Sequence, residues 1–227
     1  MRLSLSDVLS ANAGYVDTAG FLALNGLFTS HVTGNFVTLG ASLVFGTSGT
    51  VTKVLALPMF CLTVFLVRLL GQRLQSGGQP ALRRLLSLQF ILLLAGAAFA
   101  ISLGPFVSAD QLPAIVTGLI MVAAMATQNA THRLYLSSTP PSTVMTLTTT
   151  QIMLDAAELA HGAPAESQPA IRARLKRLTL SVVMFALGCA AAALIYAQLG
   201  VWCFLLPPVL GLTAARLPES LTPQPSR

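Results

Sequence analysis

Long apolar runs separated by short basic blocks constrain this chain more than any single motif. Residues 51–70, 85–104, 112–130 and 178–197 are almost free of charge. Each is about 20 residues long, which is enough to cross a bilayer as a helix. Segments 12–28 and 201–215 have the same character with polar interruptions. Charged residues make up only 9% of the chain and the mean hydropathy is +0.75, whereas soluble domains carry about 25% charge. The chain therefore reads as one all-α integral membrane domain over residues 1–227, with a lipid bilayer as its surroundings. Residues 1–13 lack the apolar core of a cleavable signal, so the first apolar segment is expected to be retained.

The net charge of +6 is not a nucleic-acid footprint, and no nucleic-acid partner is expected. The basic residues lie in blocks between apolar runs, where they set membrane orientation. Arg68, Arg73, Arg83 and Arg84 flank one loop, Arg133 follows the run at 112–130, and Arg172, Arg174, Lys176 and Arg177 precede the run at 178–197. An even number of crossings places every Lys and Arg except Lys53 on the cytoplasmic side, together with both termini. That count requires two shorter segments, 31–46 and 142–159, to enter the membrane without crossing it. Broken backbone at membrane depth is tolerated where it lines a cavity or is buried in protein. The expected fold is six transmembrane helices plus two re-entrant or half-helix segments.

The two short segments resemble each other. His31-Val-Thr-Gly-Asn35 aligns with Val144-Met-Thr-Leu-Thr148, and Met59–Leu62 aligns with Met184–Leu187. Each half (1–108 and 109–227) then reads as span, short segment, span, span. Three crossings per half make the repeats inverted in the membrane, a plan used by transporters whose sites lie at the repeat interface.

The string G-Y-V-D-x-x-G-F-L-A-L-x-G-L-F-x-S-H-x-T-G-N-x-V-x-L-G over 14–40 resembles the hallmark of the YoaK-like family of bacterial inner-membrane proteins. A second motif of that family, G-L-Q-N-A followed by T-x-V-x-T-G-T, is matched at 126–130 and 143–148, with departures at Ala126, Thr127 and Leu147. The resemblance covers the whole chain. It implies a multi-pass protein of the bacterial inner (cytoplasmic) membrane and a transport role, and it supplies neither substrate nor mechanism.

An ionisable residue inside a membrane segment is a functional candidate by default. Asp17 is one, able to carry a proton or bind a cation. His31, whose ordinary pKa of about 6.5 suits a proton relay, is its natural partner. Thr33, Gly34 and Asn35 read as the opening of a half-helix whose N–H groups contact solute, with Thr146 and Thr148 as the mirror surface. Gln128 and Asn129, costly amides at membrane depth, read as the second half's polar contribution. Each of these has a bland reading too: a cap, a wetted interfacial residue, or a polar break that folds a loop. Asp155 and Glu158 read as rim charges, Pro58, Pro207 and Pro208 as kinks, and the small-residue face at 188–193 as a surface for packing protomers in a possible homo-oligomer. Cys61, Cys189 and Cys203 read as small buried hydrophobes, and no metal or cofactor is expected. Nucleophile-elbow, zinc-protease and P-loop patterns are missing, so an enzyme is not expected. The expected function is a secondary transporter of a small polar solute or ion, proton-coupled through Asp17. A channel built on the same paired segments is the alternative, and a structural or sensory membrane partner is the third reading.

Overall fold

The computed structural model describes residues 4–217, which are helical with irregular connections and no strand among them. The helices are α1 (Leu5–Ala23), α2 (Gly34–Phe45), α3 (Thr50–Ser76), α4 (Ala81–Leu103), α5 (Leu112–Tyr135), α6 (Met145–His161), α7 (Gln168–Leu199) and α8 (Leu206–Arg216), with a 3-10 stretch Gly200–Leu205 joining the last two. Arg2 and Arg227, which enter the charge argument, lie outside the described residues. Four stretches are long and apolar enough to cross a membrane: Thr50–Ser76, Ala81–Leu103, Leu112–Tyr135 and Gln168–Arg216. Their outward faces are apolar, with Leu62, Phe65, Leu94, Leu194 and Trp202 all exposed. Such a surface is suited to lipid or to a partner protein and not to water.

Helix α1 begins well before the apolar run at 12–28. Ser4 and Asp7 form a reciprocal capping box that starts it, satisfying donors that the first turn leaves open. It ends early, because Asn25 and Gly26 adopt φ of 51° and 85° and turn the chain back. This helix is the centre of the bundle, and Val16 and Ala19 have no exposed surface. Protein rather than lipid surrounds it, which is why Ser10, Asn12 and Asp17 can be buried along it.

Helix α7 runs parallel to α1 at backbone contact. A Cβ on Gly14 would strike the carbonyl of Phe185, and one on Gly188 would strike the carbonyl of Ala11. One turn away, Ser10 Oγ and Ser181 Oγ are 2.8 Å apart. The small-residue face at 188–193 is thus partly used within the chain, since Gly188 and Ala192 are buried. Helix α5 runs parallel to α3 in the same manner: Gly118 faces Thr52, Ala130 packs with Val67, and Gly71 faces Tyr135. Helix α4 packs on α5 and α8, α8 packs on α1, α2 lies on α3, and α6 lies on α7.

The chain reverses at Gly200, whose φ is 55°. The Tyr15 hydroxyl then donates to the Cys203 carbonyl at 2.8 Å, and Ala214 joins the cluster of Leu5 and Leu9 near the start of α1. Helix α8 therefore descends antiparallel to α1, and with the 3-10 stretch it covers about 28 Å. Pro207 and Pro208 occupy the first turn of α8, where a missing N–H costs nothing, so they start a helix rather than kink one. Pro58 does lie inside α3. Cys203 is buried as expected, but Cys61 is exposed on the outer face of α3, where lipid contact suits a thiol as well as a protein core.

Helices α2 and α6 have 12 and 17 residues. At 1.5 Å per residue they are about 18 and 26 Å long, shorter than the ~30 Å hydrocarbon core.

Candidate functional site

The first break, residues 24–33, is organised by one carboxylate. Asp17 lies on α1 and is 4% exposed. Its Oδ1 accepts from Thr29 N at 2.8 Å, Ser30 N at 2.7 Å and Thr29 Oγ1 at 3.2 Å. Its Oδ2 accepts from His31 N at 3.3 Å and lies 2.5 Å from His31 Nδ1. Three consecutive backbone N–H groups of an irregular segment are therefore gathered on one side chain. Asn35 closes the other end. Its Oδ1 accepts from Phe28 N and its Nδ2 donates to Phe28 O, both at 2.8 Å.

Glycines let this loop lie flat on its helix. A Cβ on Gly20 would meet Thr29 Cγ2, and one on Gly34 would meet the Phe28 ring, each at 2.9 Å. The expected free N–H groups at the start of α2 are taken by the chain itself: Gly34 N donates to His31 O, Asn35 N to Val32 O and Phe36 N to Thr33 O. Thr33, Gly34 and Asn35 thus build the turn. Beyond α2, Asn25 Nδ2 donates to Ser48 Oγ at 2.6 Å. Residues 24–25 and 48–49 therefore lie together while the middle of the segment hangs beside Asp17. Lys53 is spent in the same corner, buried and donating to Ser42 Oγ at 2.8 Å and Ser48 O at 3.3 Å. Asp110 there accepts from Gly49 N at 2.8 Å and Val51 N at 3.1 Å, capping α3.

The second break, residues 136–144, is organised by amides. Gln128 has no exposed surface and uses its whole hydrogen-bonding capacity. Its Oε1 accepts from Asn12 Nδ2 at 2.9 Å and Gln89 Nε2 at 2.6 Å, while its Nε2 donates to Leu9 O at 2.9 Å and Ser142 Oγ at 3.0 Å. One side chain so joins α1, α4, α5 and the loop. Asn129 Nδ2 donates to Thr143 Oγ1 at 2.9 Å, and His132 Nε2 lies 3.1 Å from Thr139 Oγ1. Thr148 is buried and returns its hydroxyl to Val144 O, and Thr146 is exposed on α6. Neither threonine joins the polar hub.

The two breaks approach each other through His31. Its imidazole packs edge-on against Phe185, with centroids 5.5 Å apart, and it reaches the backbone of Thr143. A cavity of about 390 Å³ borders each break. The first is lined by Asp17, Phe21, Phe28, His31, Phe185 and Cys189 and is almost entirely apolar. The second is lined by Asn129, His132, Arg133, Thr139, Ser142 and Thr143 among others. Among the described residues no three His, Cys, Asp or Glu side chains gather into a metal-binding set.

Asp17 and His31 are brought together as the sequence suggested, and Gln128 with Asn129 forms the second polar centre. Asn12, Gln89 and Ser142 were not singled out by sequence, and Arg133 was marked only as an orienting charge. Gln89 gave a signal, an amide within an apolar run, of the same kind that drew attention to Gln128. No curated protein and no solved structure matches this chain. A family described as "Protein of unknown function (DUF1275)" matches residues 5–217, and the chain belongs to that family.

Proposed function

We propose that this protein moves a small polar solute across the membrane through two broken segments of an inverted repeat. The observation that carries the reading is His31, held to Asp17 on one break and facing Thr143 on the other. With the breaks meeting there, the two cavities become vestibules on opposite sides of a central constriction. Asn12 and Gln128 mark a common level. The first cavity lies toward the C-terminal end of α1 and the second toward the C-terminal end of α5. In this reading α1, α3, α4, α5, α7 and α8 with its 3-10 stretch cross the bilayer, and α2 and α6 are re-entrant. Exchange of halves supports it: α1 on α7 mirrors α5 on α3, α4 on α5 mirrors α8 on α1, and α2 on α3 mirrors α6 on α7. The basic blocks favour an orientation with the first vestibule outside and both termini in the cytoplasm.

Within the pair, Asp17 is the anchor and His31 the working group. The Asp17 carboxylate is filled with hydrogen bonds, whereas the His31 side chain is 37% exposed. Asp17→Asn would turn an N–H donor toward backbone N–H donors and break the loop, so His31→Gln is the cleaner probe of coupling.

A channel is the second reading, favoured because both cavities are open at once. Sided labelling tests both. In a background with the three cysteines replaced by Ser, Leu22→Cys and Ser137→Cys should react with a membrane-impermeant thiol reagent from opposite faces of oriented vesicles. Labelling of both from one face overturns the two-vestibule reading. If labelling one site slows labelling of the other, the two sides alternate and the protein is a transporter. If the sites label independently, it is a channel.

A further inference from the structure

The breaks differ in one chemical respect that points to a ligand. In the first, Asp17 supplies a carboxylate to the N–H groups of Thr29, Ser30 and His31. In the second, the side chains that reach the loop are the amides of Gln128 and Asn129, the latter of the same shape as an aspartate. The positions matching Thr29, Ser30 and His31 are Ser142, Thr143 and Val144, whose N–H groups have no acceptor among the described residues. The first turn of α6 follows directly and has no side-chain cap. Ser142, Thr143, Val144 and, from the first turn of α6, Leu147 line the second cavity. Its wall also carries Arg133, which makes no ion pair among the described residues, and the hydroxyls of Ser142 and Thr143. His132 lines the same cavity and is 6% exposed, and its Nδ1 has no partner.

We infer that the second cavity binds a small soluble anion, a carboxylate or phosphate, in the place that Asp17 fills in the first half. Backbone N–H groups in a turn leading into a helix form an anion nest. A guanidinium beside such a nest adds a charge-assisted hydrogen bond suited to either oxyanion. Nothing negative lines the cavity to oppose it. The first cavity offers no equivalent, since its donors are already occupied by Asp17.

The inference adds a substrate class to the proposed transport role, but binding is read on protein that need not transport anything. The full chain would be placed in phosphatidylcholine nanodiscs in a sulfonate buffer. Its thermal unfolding would be followed while sodium acetate or sodium phosphate is added at constant ionic strength. A saturable rise in midpoint is expected with acetate or phosphate, and the stronger of the two identifies the oxyanion. Arg133→Gln, at an exposed position, should weaken the apparent affinity by about tenfold, the weight of one lost charged hydrogen bond. Asn129→Asp should raise the anion-free midpoint and abolish the response, because the new carboxylate fills the nest. The proposal is overturned if neither anion shifts the wild-type midpoint, if Arg133→Gln binds as well as wild type, or if Asn129→Asp responds unchanged. It is also overturned if only phosphatidylglycerol nanodiscs produce a shift, since a headgroup and not a soluble anion would then be the occupant. Loss of sided labelling with the anion response intact sinks the transport reading alone; the converse sinks this one alone.

Discussion

The loops at 24–33 and 136–144 are each pinned by the helix that precedes them, yet one is held by a charge and the other by amides. Asp17 gathers three backbone N–H groups and a histidine. Asn129 holds one hydroxyl, and Gln128 spreads its bonds over α1, α4 and the loop. The difference teaches that two polar loops in one bundle can divide the labour. A buried carboxylate closes one break on itself, and a neutral amide leaves the other with unused donors beside an arginine. Rigidity and receptivity are thereby assigned to different loops.

Asp17→Ala is the largest test of that division. It leaves the N–H groups of the first loop without their acceptor and His31 without its partner, and the expected loss is about 4 kcal/mol. Asn129→Ala, its counterpart, removes one neutral hydrogen bond and should cost about 1 kcal/mol. Denaturant-dependent proteolysis of both variants in nanodiscs gives the ratio. Equal losses would mean that charge and amide anchor their loops alike, and the comparison would collapse.

Gln128→Leu should fall next, at about 3 kcal/mol. It removes a hub and orphans Asn12, Gln89 and the Leu9 carbonyl in a fully buried site. If the loss is instead confined to faster hydrogen exchange at 136–144, with no change in global stability, Gln128 serves only its own loop.

Asn35→Ala follows at about 1–2 kcal/mol, for two hydrogen bonds to Phe28. Because those bonds close the first loop and touch nothing else, exchange at 28–35 should quicken while the second loop keeps its protection. Equal quickening in both loops would show that they open as one unit.

Much of this layout was legible in the sequence because polar atoms are conspicuous in apolar surroundings. The Asp17–His31 pair and the Gln128–Asn129 pair follow from that contrast, whereas the breaks expected at 33–35 and 146–148 lie just upstream, at 24–33 and 136–144, because Gly34, Asn35 and residues 145–148 are already helical. Whether Asp17 is an anchor or a proton carrier was not legible, since that depends on which backbone groups fold back onto it, and the fold-back is set by Asn25 and Gly26 further along. The start of α1 was obscured for the opposite reason. Its first turns are polar but buried by protein, so hydropathy placed the helix at Asn12 while the capping box of Ser4 and Asp7 marked the true start. Gly14 and Gly188 could be recognised as small, but which helix each would meet required the packing itself.

The smallest effect belongs to the carboxylate–arginine pair of α6 and α7, which lies away from the second break. Arg174 Nε and Nη2 each donate to Asp155 at 2.7 Å, and Gln151 Nε2 donates to the same carboxylate at 2.7 Å. The pair ties α6 to the basic, polar start of α7, outside the apolar part of that helix. Arg174, with Gln151 behind it, holds the Asp155 carboxyl below the usual carboxylate range. A depressed folded-state pKa contributes stability that is fully present above the unfolded value of about 3.9 and is lost as pH falls through the folded one. The Arg174 side chain is 45% exposed, so solvent screening keeps the contribution below about 1 kcal/mol. Arg174→Gln should therefore lower the unfolding midpoint slightly at pH 7, and the gap to wild type should close as pH is taken below about 4. A gap that persists undiminished at pH 3 would mean that Arg174 acts through packing of its aliphatic stem on α6. The rim of the second half would then lack the electrostatic tie that its break already does without.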